Sequence, residues 1–295
     1  MRRPGGLLAW GLIAFLYLPV ITLVVFAFQE SPRLGLPFDG PSLRWFEAIW
    51  NDAGFRRALW ASVRIATASC SVALVVATLA ALGLRRYRLR YGSALSVAAV
   101  VPIALPGLLV GLALLTYFSS VGMRPSLTTV VIAHTIYVTP YVLMVVTSGL
   151  EQLDPSIEEA ARDLGASPWQ AFWRSTFPLL WPAILGAAVL AFALSFDEFL
   201  ITLFVIGGDS TLPVFIWSRM RRTIDPSVNA VATGLLTIVI TGAVTALSLA
   251  LMARRRTGVS YADDADSTAT AVPLAPAQPG EPVRVAAGVL GSENG

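Results

Sequence analysis

The 295-residue chain has no lysine, and it has a single cysteine, Cys70, and a single histidine, His134. Without lysine there is no P-loop residue to hold nucleotide phosphates, and Schiff-base and lysine general-base chemistry are excluded. A lone cysteine forms no disulfide within the chain, and one cysteine with one histidine is too few for a zinc site of those ligands. These absences exclude most classes of enzyme.

Charged residues are also scarce, at 13% of the chain, against about 25% in an ordinary soluble domain. So few charges do not cover the surface of a water-soluble globule. The hydrophobic share of 56% excludes disorder over most of the length. The composition therefore indicates a polytopic membrane protein.

The apolar residues occur in six runs, each long enough to cross the hydrocarbon core as a helix of roughly 20 residues. The first run has 22 residues without charge, which exceeds the apolar region of a signal peptide, so we expect it to be retained. The predicted fold is an all-α membrane domain over residues 1–256. Its six transmembrane helices lie near Leu7–Phe28, Ile65–Leu84, Ala94–Phe118, Thr128–Leu150, Ala183–Ile206 and Val228–Ala253.

The distribution of arginine predicts the orientation, because the cytoplasmic flanks of spans are enriched in basic residues. Six spans place three arginine clusters on one side, so both termini are predicted to be cytoplasmic. The clusters are Arg2 and Arg3, then Arg85, Arg86, Arg88 and Arg90, then Arg254, Arg255 and Arg256.

Segment 257–295 is rich in Ala, Pro and Gly and has no apolar stripe, which predicts a disordered cytoplasmic tail.

The segment between the fourth and fifth spans, Glu151–Pro182, is too long for a simple connection, and it predicts two short helices. Asp154 is a suitable N-cap with Pro155 at the first helical position, and Gly165 provides the turn that ends this helix. One face of the helix is apolar, and it consists of Ile157, Ala160, Ala161 and Leu164.

The second helix begins with a predicted capping box, in which Ser167 is the cap, Pro168 is first and Gln170 is third. Pro178 and Pro182 are expected to end it before the fifth span. Such a helix pair is suited to rigid docking into a partner protein. It is equally suited to lying on the lipid surface as an interfacial hairpin.

Residues Glu159–Ala161 read E-A-A, and Gly165 follows after three more residues. This pattern resembles the EAA loop of ABC-importer permeases, which continues with nine residues and I-x-L-P. Here Ser175–Pro178 reads S-T-F-P, so Ser and Phe replace the Ile and Leu. The resemblance implies that residues 151–182 form a cytoplasmic coupling loop that seats in a separate ATPase subunit. The implied contact residues are Glu159, Ala160, Ala161 and Gly165.

The sequence resembles the spermidine/putrescine type of permease beyond this loop, at Ser195–Phe199, Leu212–Pro213, Ile216–Ser218 and Pro226–Ala230. This implies a multi-pass permease of the bacterial inner membrane that imports polyamines or a related small solute. It implies no enzymatic activity and no cofactor in this chain. The implied partners are two ABC ATPase subunits that bind ATP and Mg²⁺, a second related permease, an extracytoplasmic solute-binding protein and membrane lipid, with no nucleic acid.

Asp197 and Glu198 are acidic residues within the fifth predicted span, where an unpaired carboxylate costs several kcal/mol. Adjacent helical positions lie about 100° apart, so we expect at least one of the two to face the bundle interior. They are candidates for the lining of a pathway for a cationic solute. The alternative is a structural hydrogen bond or a position near the outer interface.

The segment 211–223 is predicted to lie outside, and it contains Arg219, Arg221 and Arg222. These arginines are candidates for contact with the solute-binding protein, since charge steers association. The alternative is an interfacial helix anchored by Trp217 and by arginine.

His134, in the fourth span, is expected to be a hydrogen-bonded packing residue in preference to a proton relay. The resemblance favours an ABC-importer permease. The alternative functions are a secondary carrier driven by ions or protons through Asp197, Glu198 and His134, and a membrane scaffold that does not transport.

Overall fold

The computed structural model describes residues 4–33, 35, 38–86, 101–154, 156–222 and 225–257. Within these residues the regular structure is helical, with an isolated bridge between Gln29 and Pro41, and the all-α prediction is confirmed. Several predicted features lie outside the described residues: the tail beyond residue 257, Arg2, Arg3, Arg88, Arg90, Pro155 and residues 94–100 of the third span.

The helices follow one another in a simple order along the chain. They are α1 (Pro4–Ala27), α2 (Arg44–Asn51), α3 (Ala53–Arg86), α4 (Gly107–Ser120), α5 (Leu127–Glu151), α6 (Ser156–Asp163), α7 (Pro168–Ala171), a π-helical turn (Phe172–Thr176), α8 (Phe177–Asp197), α9 (Leu200–Val205), α10 (Leu212–Arg222) and α11 (Ser227–Thr257). Among the described residues, four helical stretches are long and apolar enough to cross a membrane: Trp10–Ala27, Ala53–Arg86, Leu127–Glu151 and Pro168–Asp197. Helix α4 and the Ser227–Gly242 part of α11 are apolar but shorter.

Helices α3, α5 and α8 pack against one another around a shared apolar core. Gly149 of α5 lies so close to α8 that an added Cβ would be 2.5 Å from the Cβ of Ala183. The buried face of α3 is built mainly from small side chains, which let helix backbones approach closely. Its small residues include Ala58, Ala61, Ser62, Ala66, Ser69, Cys70, Ala73, Ala77 and Ala81.

Two smaller apolar clusters complete the packing. One contains Ile65, Phe118, Val130 and Ile201, and so joins α4 and α9 to the main core. The other contains Ile49, Phe55, Leu212 and Val231. Helix α1 differs, because only 6% of its apolar stretch is buried. The chain divides into residues 1–235, which hold these clusters, and residues 236–295, whose described part is the remainder of α11.

The fifth span differs from its prediction at both ends. Helix α8 continues directly from α7 through the π-helical turn, so this helical stretch begins at Pro168. It ends at Asp197, because Glu198 is extended (φ −68°, ψ 116°), and α9 begins only at Leu200. The predicted run through Ile206 is therefore two helices with a break between them.

Pro178 and Pro182 do not end the second loop helix, contrary to the prediction. The π-helical turn Phe172–Thr176 precedes them, and the N–H of Phe177 donates to the carbonyl of Phe172. A proline has no amide hydrogen and clashes with the carbonyl four residues earlier. The wider π turn includes Arg174, four residues before Pro178, and so accommodates that proline, whereas Pro182 lies inside α8 itself.

The third predicted span is also interrupted. Residues 101–104 are helical, the chain breaks at Leu105 and Pro106, and α4 begins at Gly107. The residue before a proline is disfavoured in the helical conformation, which explains a break at this position.

Candidate functional site

The segment between α5 and α8 forms the caps that the sequence predicts. Oδ1 of Asp154 accepts a hydrogen bond from the N–H of Ser156 at 2.9 Å, and this backbone contact, with the Ser156 side chain, lowers the pKa of the Asp154 carboxyl. Gly165 has φ +89°, a conformation that strains other residues. The capping box of Ser167 and Gln170 is closed in both directions, at 3.3 and 3.0 Å. The ends of both short helices are therefore fixed.

The predicted apolar face of α6 is left largely uncovered by the other residues that the structure describes. Leu164 exposes 89% of its surface, and no residue of α6 is buried. Glu159, Ala160 and Gly165 are exposed as well. An exposed apolar surface bordered by charged residues is typical of an interaction site. Of the four predicted coupling residues, three are thus exposed on one capped helix and its terminal turn, and Ala161 is half-buried.

Arg85, at the end of α3, connects this segment to the bundle. Its guanidinium donates to the carbonyl oxygens of Leu150 at 2.7 Å and Leu153 at 3.1 Å. Leu150 is in the last turn of α5, where carbonyls lack the usual helical partner four residues on, and Leu153 lies two residues beyond the helix. The sequence identified Arg85 only as a flanking charge, because its partners are more than 60 residues away.

His134 is almost fully buried and uses both ring nitrogens. Nδ1 lies 2.8 Å from Oγ of Ser195 on α8, and Nε2 lies 2.8 Å from Oγ1 of Thr202 on α9. The hydroxyl of Thr202 donates its hydrogen to the carbonyl of Glu198. Thr202 therefore accepts from Nε2–H, and in the neutral imidazole Nδ1 then accepts from the hydroxyl of Ser195. The prediction of a hydrogen-bonded packing histidine is confirmed, and its ring bridges the break between α8 and α9.

Asp197 and Glu198 lie at that same break, in different environments. Asp197 is the last residue of α8 and is exposed, whereas Glu198 is half-buried. Oε1 of Glu198 accepts a hydrogen bond from the N–H of Ile201 at 2.9 Å, so this carboxylate caps α9. The ring of Phe199 lies 5.5 Å from that of Trp217. Helix α8 ends between Asp197 and Glu198. The angle of about 100° between adjacent helical residues, on which the prediction relied, therefore does not describe the directions of these two side chains.

The three arginines of α10 have different surroundings. Arg219 lies 3.0 Å from the carboxylate of Asp52 and donates to Oγ of Ser227 at 2.8 Å. Arg221 lies over the ring of Trp217, with its guanidinium carbon 5.9 Å from the ring centroid. Arg221 and Arg222 are exposed. Sequence reasoning did not find the Asp52 pair, since 167 positions separate it from Arg219.

The predicted residues therefore form three groups. One helical stretch connects two of them, and the arginines of α10 form the third. The coupling residues precede the stretch Pro168–Asp197, and the group around His134 and Glu198 lies at its other end. Ser195 and Thr202 were missed, because isolated hydroxyl residues in an apolar sequence give no signal of a shared partner.

Comparison with known proteins identifies the family. The family described as "Binding-protein-dependent transport system inner membrane component" matches residues 73–258. The chain is 36% identical over 248 residues to the putrescine transport system permease protein PotI of Escherichia coli, covering 81% of this chain and 87% of that protein. It is 32% identical over 235 residues to the spermidine/putrescine transport system permease protein PotC of Escherichia coli, covering 79% and 88%.

A third relative is the putative 2-aminoethylphosphonate transport system permease protein PhnV of Salmonella typhimurium. It is 33% identical over 225 residues, covering 75% of this chain and 84% of that protein. The fold is similar to a solved bacterial ABC transporter involved in the import of the acidic polysaccharide alginate, with a TM-score of 0.64 and 14% identity over 82% of this chain and 93% of that chain. It is also similar to an amino acid ABC transporter, with a TM-score of 0.54 and 20% identity over 69% and 96%.

The family match covers more than half of the chain, and the relatives named here are 32–36% identical over most of it. The chain therefore belongs to the binding-protein-dependent transport system inner membrane components, the permease subunits of ABC importers.

Proposed function

We propose that this permease subunit moves polyamines, or a related solute with an amine group, into the cell. PotI and PotC are named for putrescine and spermidine, and PhnV is named for 2-aminoethylphosphonate. All three names describe small molecules with a primary amine, which is cationic at neutral pH. A carboxylate near the pathway is the chemistry that recognises such a group. Asp197 and Glu198, at the break between α8 and α9, are the proposed pathway residues.

The proposed topology has six membrane crossings with both termini in the cytoplasm. The four long apolar stretches supply four crossings, and α4 and the Ser227–Gly242 part of α11 belong to the other two. In this topology the segment 151–182 faces the cytoplasm and α10 faces the outside. Residues 1–256 then form the permease domain, followed by the cytoplasmic tail 257–295.

The proposed coupling site is the segment 151–182, and one observation supports it above the others. Helix α6 is fixed by caps at its ends, yet its apolar face is uncovered. In this proposal one of a pair of ATPase subunits, which bind ATP and Mg²⁺, covers this segment and contacts Glu159, Ala160, Ala161 and Gly165. Closure of the ATPases displaces α6, and the continuous stretch Pro168–Asp197 transmits the displacement to the break beside Glu198.

On the outer side, Arg221 and Arg222 are exposed and are proposed to contact the solute-binding protein. Arg219 is part of the same proposed contact. Its role there is to fix α10 in place through its bonds to Asp52 and Ser227. A second, related permease completes the pathway in this proposal. An ion- or proton-coupled carrier is not favoured, because the relatives are permeases of binding-protein-dependent systems.

The test is uptake by the complete importer reconstituted in liposomes, with its ATPase, partner permease and binding protein. We expect ATP-driven accumulation of putrescine or spermidine, and slower accumulation by Asp197→Asn with assembly unchanged. Asp209→Asn, which also replaces an exposed carboxylate, is the matched control and should transport normally. Unchanged kinetics in Asp197→Asn would remove this residue from the pathway, and accumulation only of solutes that have no amine group would refute the amine substrate.

A further inference from the structure

An open groove of about 950 Å³ lies between α3 and the helical stretch that runs from α7 into α8. One wall is aliphatic and includes Val75 and Leu79 of α3, which expose 61% and 64% of their surfaces. The opposite wall is aromatic and includes Trp169 and Trp173. Neither wall is covered by another part of residues 1–235 that the structure describes.

The groove is polar at one end and apolar at the other. Leu74 and Ile184 line the apolar end. The polar end has three arginines and two glutamates, which are Arg85, Arg86, Arg162, Glu158 and Glu159. The polar end therefore has an excess of positive charge, and Arg86 and Arg162 are exposed there.

The length of the groove matches one leaflet of a bilayer. The wall from Leu74 to Arg86 spans twelve positions of α3, which is about 18 Å at the rise of an α-helix. The wall from Trp169 to Ile184 spans fifteen positions, or about 22 Å. Half of a hydrocarbon core of about 30 Å is about 15 Å. Since α3 and α8 cross the membrane, the polar end of the groove lies at headgroup level.

A row of aromatic rings begins on this wall with Trp169, Trp173 and Phe177, which line the groove, and continues beyond it with Trp181. Their centroids are 5.4, 4.5 and 5.6 Å apart in sequence order. The spacing of four residues places all four rings on one helix face. Trp169 exposes 69% of its surface. Exposed tryptophan is typical of the level where a protein meets lipid headgroups.

We propose that this groove binds one anionic phospholipid, with its phosphate near Arg86 and Arg162 and one acyl chain between Val75, Leu79 and the aromatic row. A basic pocket between membrane helices is the usual recognition chemistry for such a headgroup. A protein partner of uniform polarity does not match a groove that changes from charged to apolar over the depth of one leaflet. The proposal rests on the membrane placement of α3 and α8 in the proposed function, and not on the polyamine substrate.

A bound lipid would have a mechanical consequence at this position. The groove is lined by Glu158 and Glu159 of α6 as well as by α3. Its occupant therefore contacts both the coupling segment and the bundle. The lipid would set the distance between them, so we expect ATP-driven uptake to depend on the anionic lipid content of the membrane.

The test is native mass spectrometry of the full chain with phosphatidylglycerol or the neutral phosphatidylcholine. We expect Arg86→Gln to reduce phosphatidylglycerol retention about fivefold, the effect of one arginine near a membrane surface, while phosphatidylcholine retention stays unchanged. Arg57→Gln, at the opposite end of α3, is the matched control. Val75→Trp fills the groove and should remove both lipids. Val76→Trp, the exposed neighbour that does not line the groove, should remove neither.

The same measurement on the importer assembled with its ATPase and partner permease completes the test. Retention of the lipid in the assembly, with the same dependence on Val75 and Arg86, supports the proposal. Loss of the lipid on assembly would show that a protein subunit covers the groove and would overturn it, as would equal effects of Val75→Trp and Val76→Trp. Neither result bears on which solute is imported, so failure here is distinguishable from failure of the proposed substrate.

Discussion

Asp52 and Arg219 form an ion pair with a distance of 3.0 Å between Oδ2 and the guanidinium, and it connects the start of α3 to α10. The other carboxylate oxygen of Asp52 accepts hydrogen bonds from the N–H groups of Gly54 and Phe55, at 2.7 and 3.2 Å. Asp52 is thus both the N-cap of a membrane-spanning helix and the partner of a distant arginine.

These two roles of Asp52 are separable by substitution. Asp52→Asn retains a capping oxygen and loses the charge, so we expect a loss of about 0.5–1 kcal/mol of stability, because the pair is partly exposed. Asp52→Ala also loses the cap, which adds about 1 kcal/mol. The melting temperature of the purified chain in detergent is the measurement, with exposed Asp39→Asn as the control. Equal destabilisation by Asn and Ala would contradict the separate capping role.

The close approach of Gly149 to Ala183 predicts that a larger residue at position 149 lowers the stability of the protein. Gly149→Ala places a methyl group against a Cβ that has no freedom to rotate away, and we expect a loss of about 1–3 kcal/mol. Gly186→Ala in α8 is the matched control, since a Cβ there meets no atom within 4 Å. Adding Ala183→Gly to Gly149→Ala should restore the melting temperature. A control as destabilised as Gly149→Ala would rule out the steric explanation.

The proposed coupling segment predicts loss of uptake without loss of fold. Glu159→Lys reverses a charge on the exposed side of α6, and we expect ATP hydrolysis to continue while uptake falls at least about tenfold, a barrier of roughly 1.4 kcal/mol. Asp209→Lys, an exposed charge reversal outside this segment, is the control. Both rates are measured in the same liposomes. If the ratio of uptake to ATP hydrolysis in Glu159→Lys equals that of the unsubstituted protein, the coupling role is refuted.

Gly165 supplies a graded version of this experiment. Its φ of +89° lies in a region that asparagine tolerates far better than a β-branched residue. We expect uptake in the order Gly165, Gly165→Asn, Gly165→Val. No described atom of this chain lies within 4 Å of a Cβ added at this position, so side-chain volume does not strain the isolated subunit. Equal uptake by the Asn and Val variants would show that this turn does not determine coupling.

We expect substitution of His134 to lower the stability of the protein and to leave the pH dependence of uptake unchanged. His134→Ala leaves the hydroxyls of Ser195 and Thr202 without their shared partner, and we expect a loss of about 1–3 kcal/mol. Because both ring nitrogens are used for packing, the pH profile of uptake should keep its shape in His134→Gln. The measurement is the initial uptake rate between pH 5 and 8 at constant ATP. A profile that loses an inflection in His134→Gln would support a proton relay instead.

Local signals in the sequence predicted the cap at Asp154, the turn at Gly165 and the Ser167–Gln170 capping box, because each depends on a few neighbouring residues. The break at Glu198 was not predicted, since apolar residues continue on both sides of it and hydropathy does not register an extended backbone. The partners of His134 and Arg219 were also missed. Those contacts depend on how helices pack, and a single sequence does not specify which distant residues meet.

The unbroken helical stretch from Pro168 to Asp197 has 30 residues and therefore a length of about 45 Å. A rod of that length acts as a lever arm. A rotation of about 5° at its inner tip swings the far tip sideways by about 4 Å, close to the width of a side chain. The π turn near its base keeps the stretch continuous at Pro178. If the proposed coupling segment is displaced slightly by an ATPase, the opposite end of the stretch would therefore move by the width of a side chain.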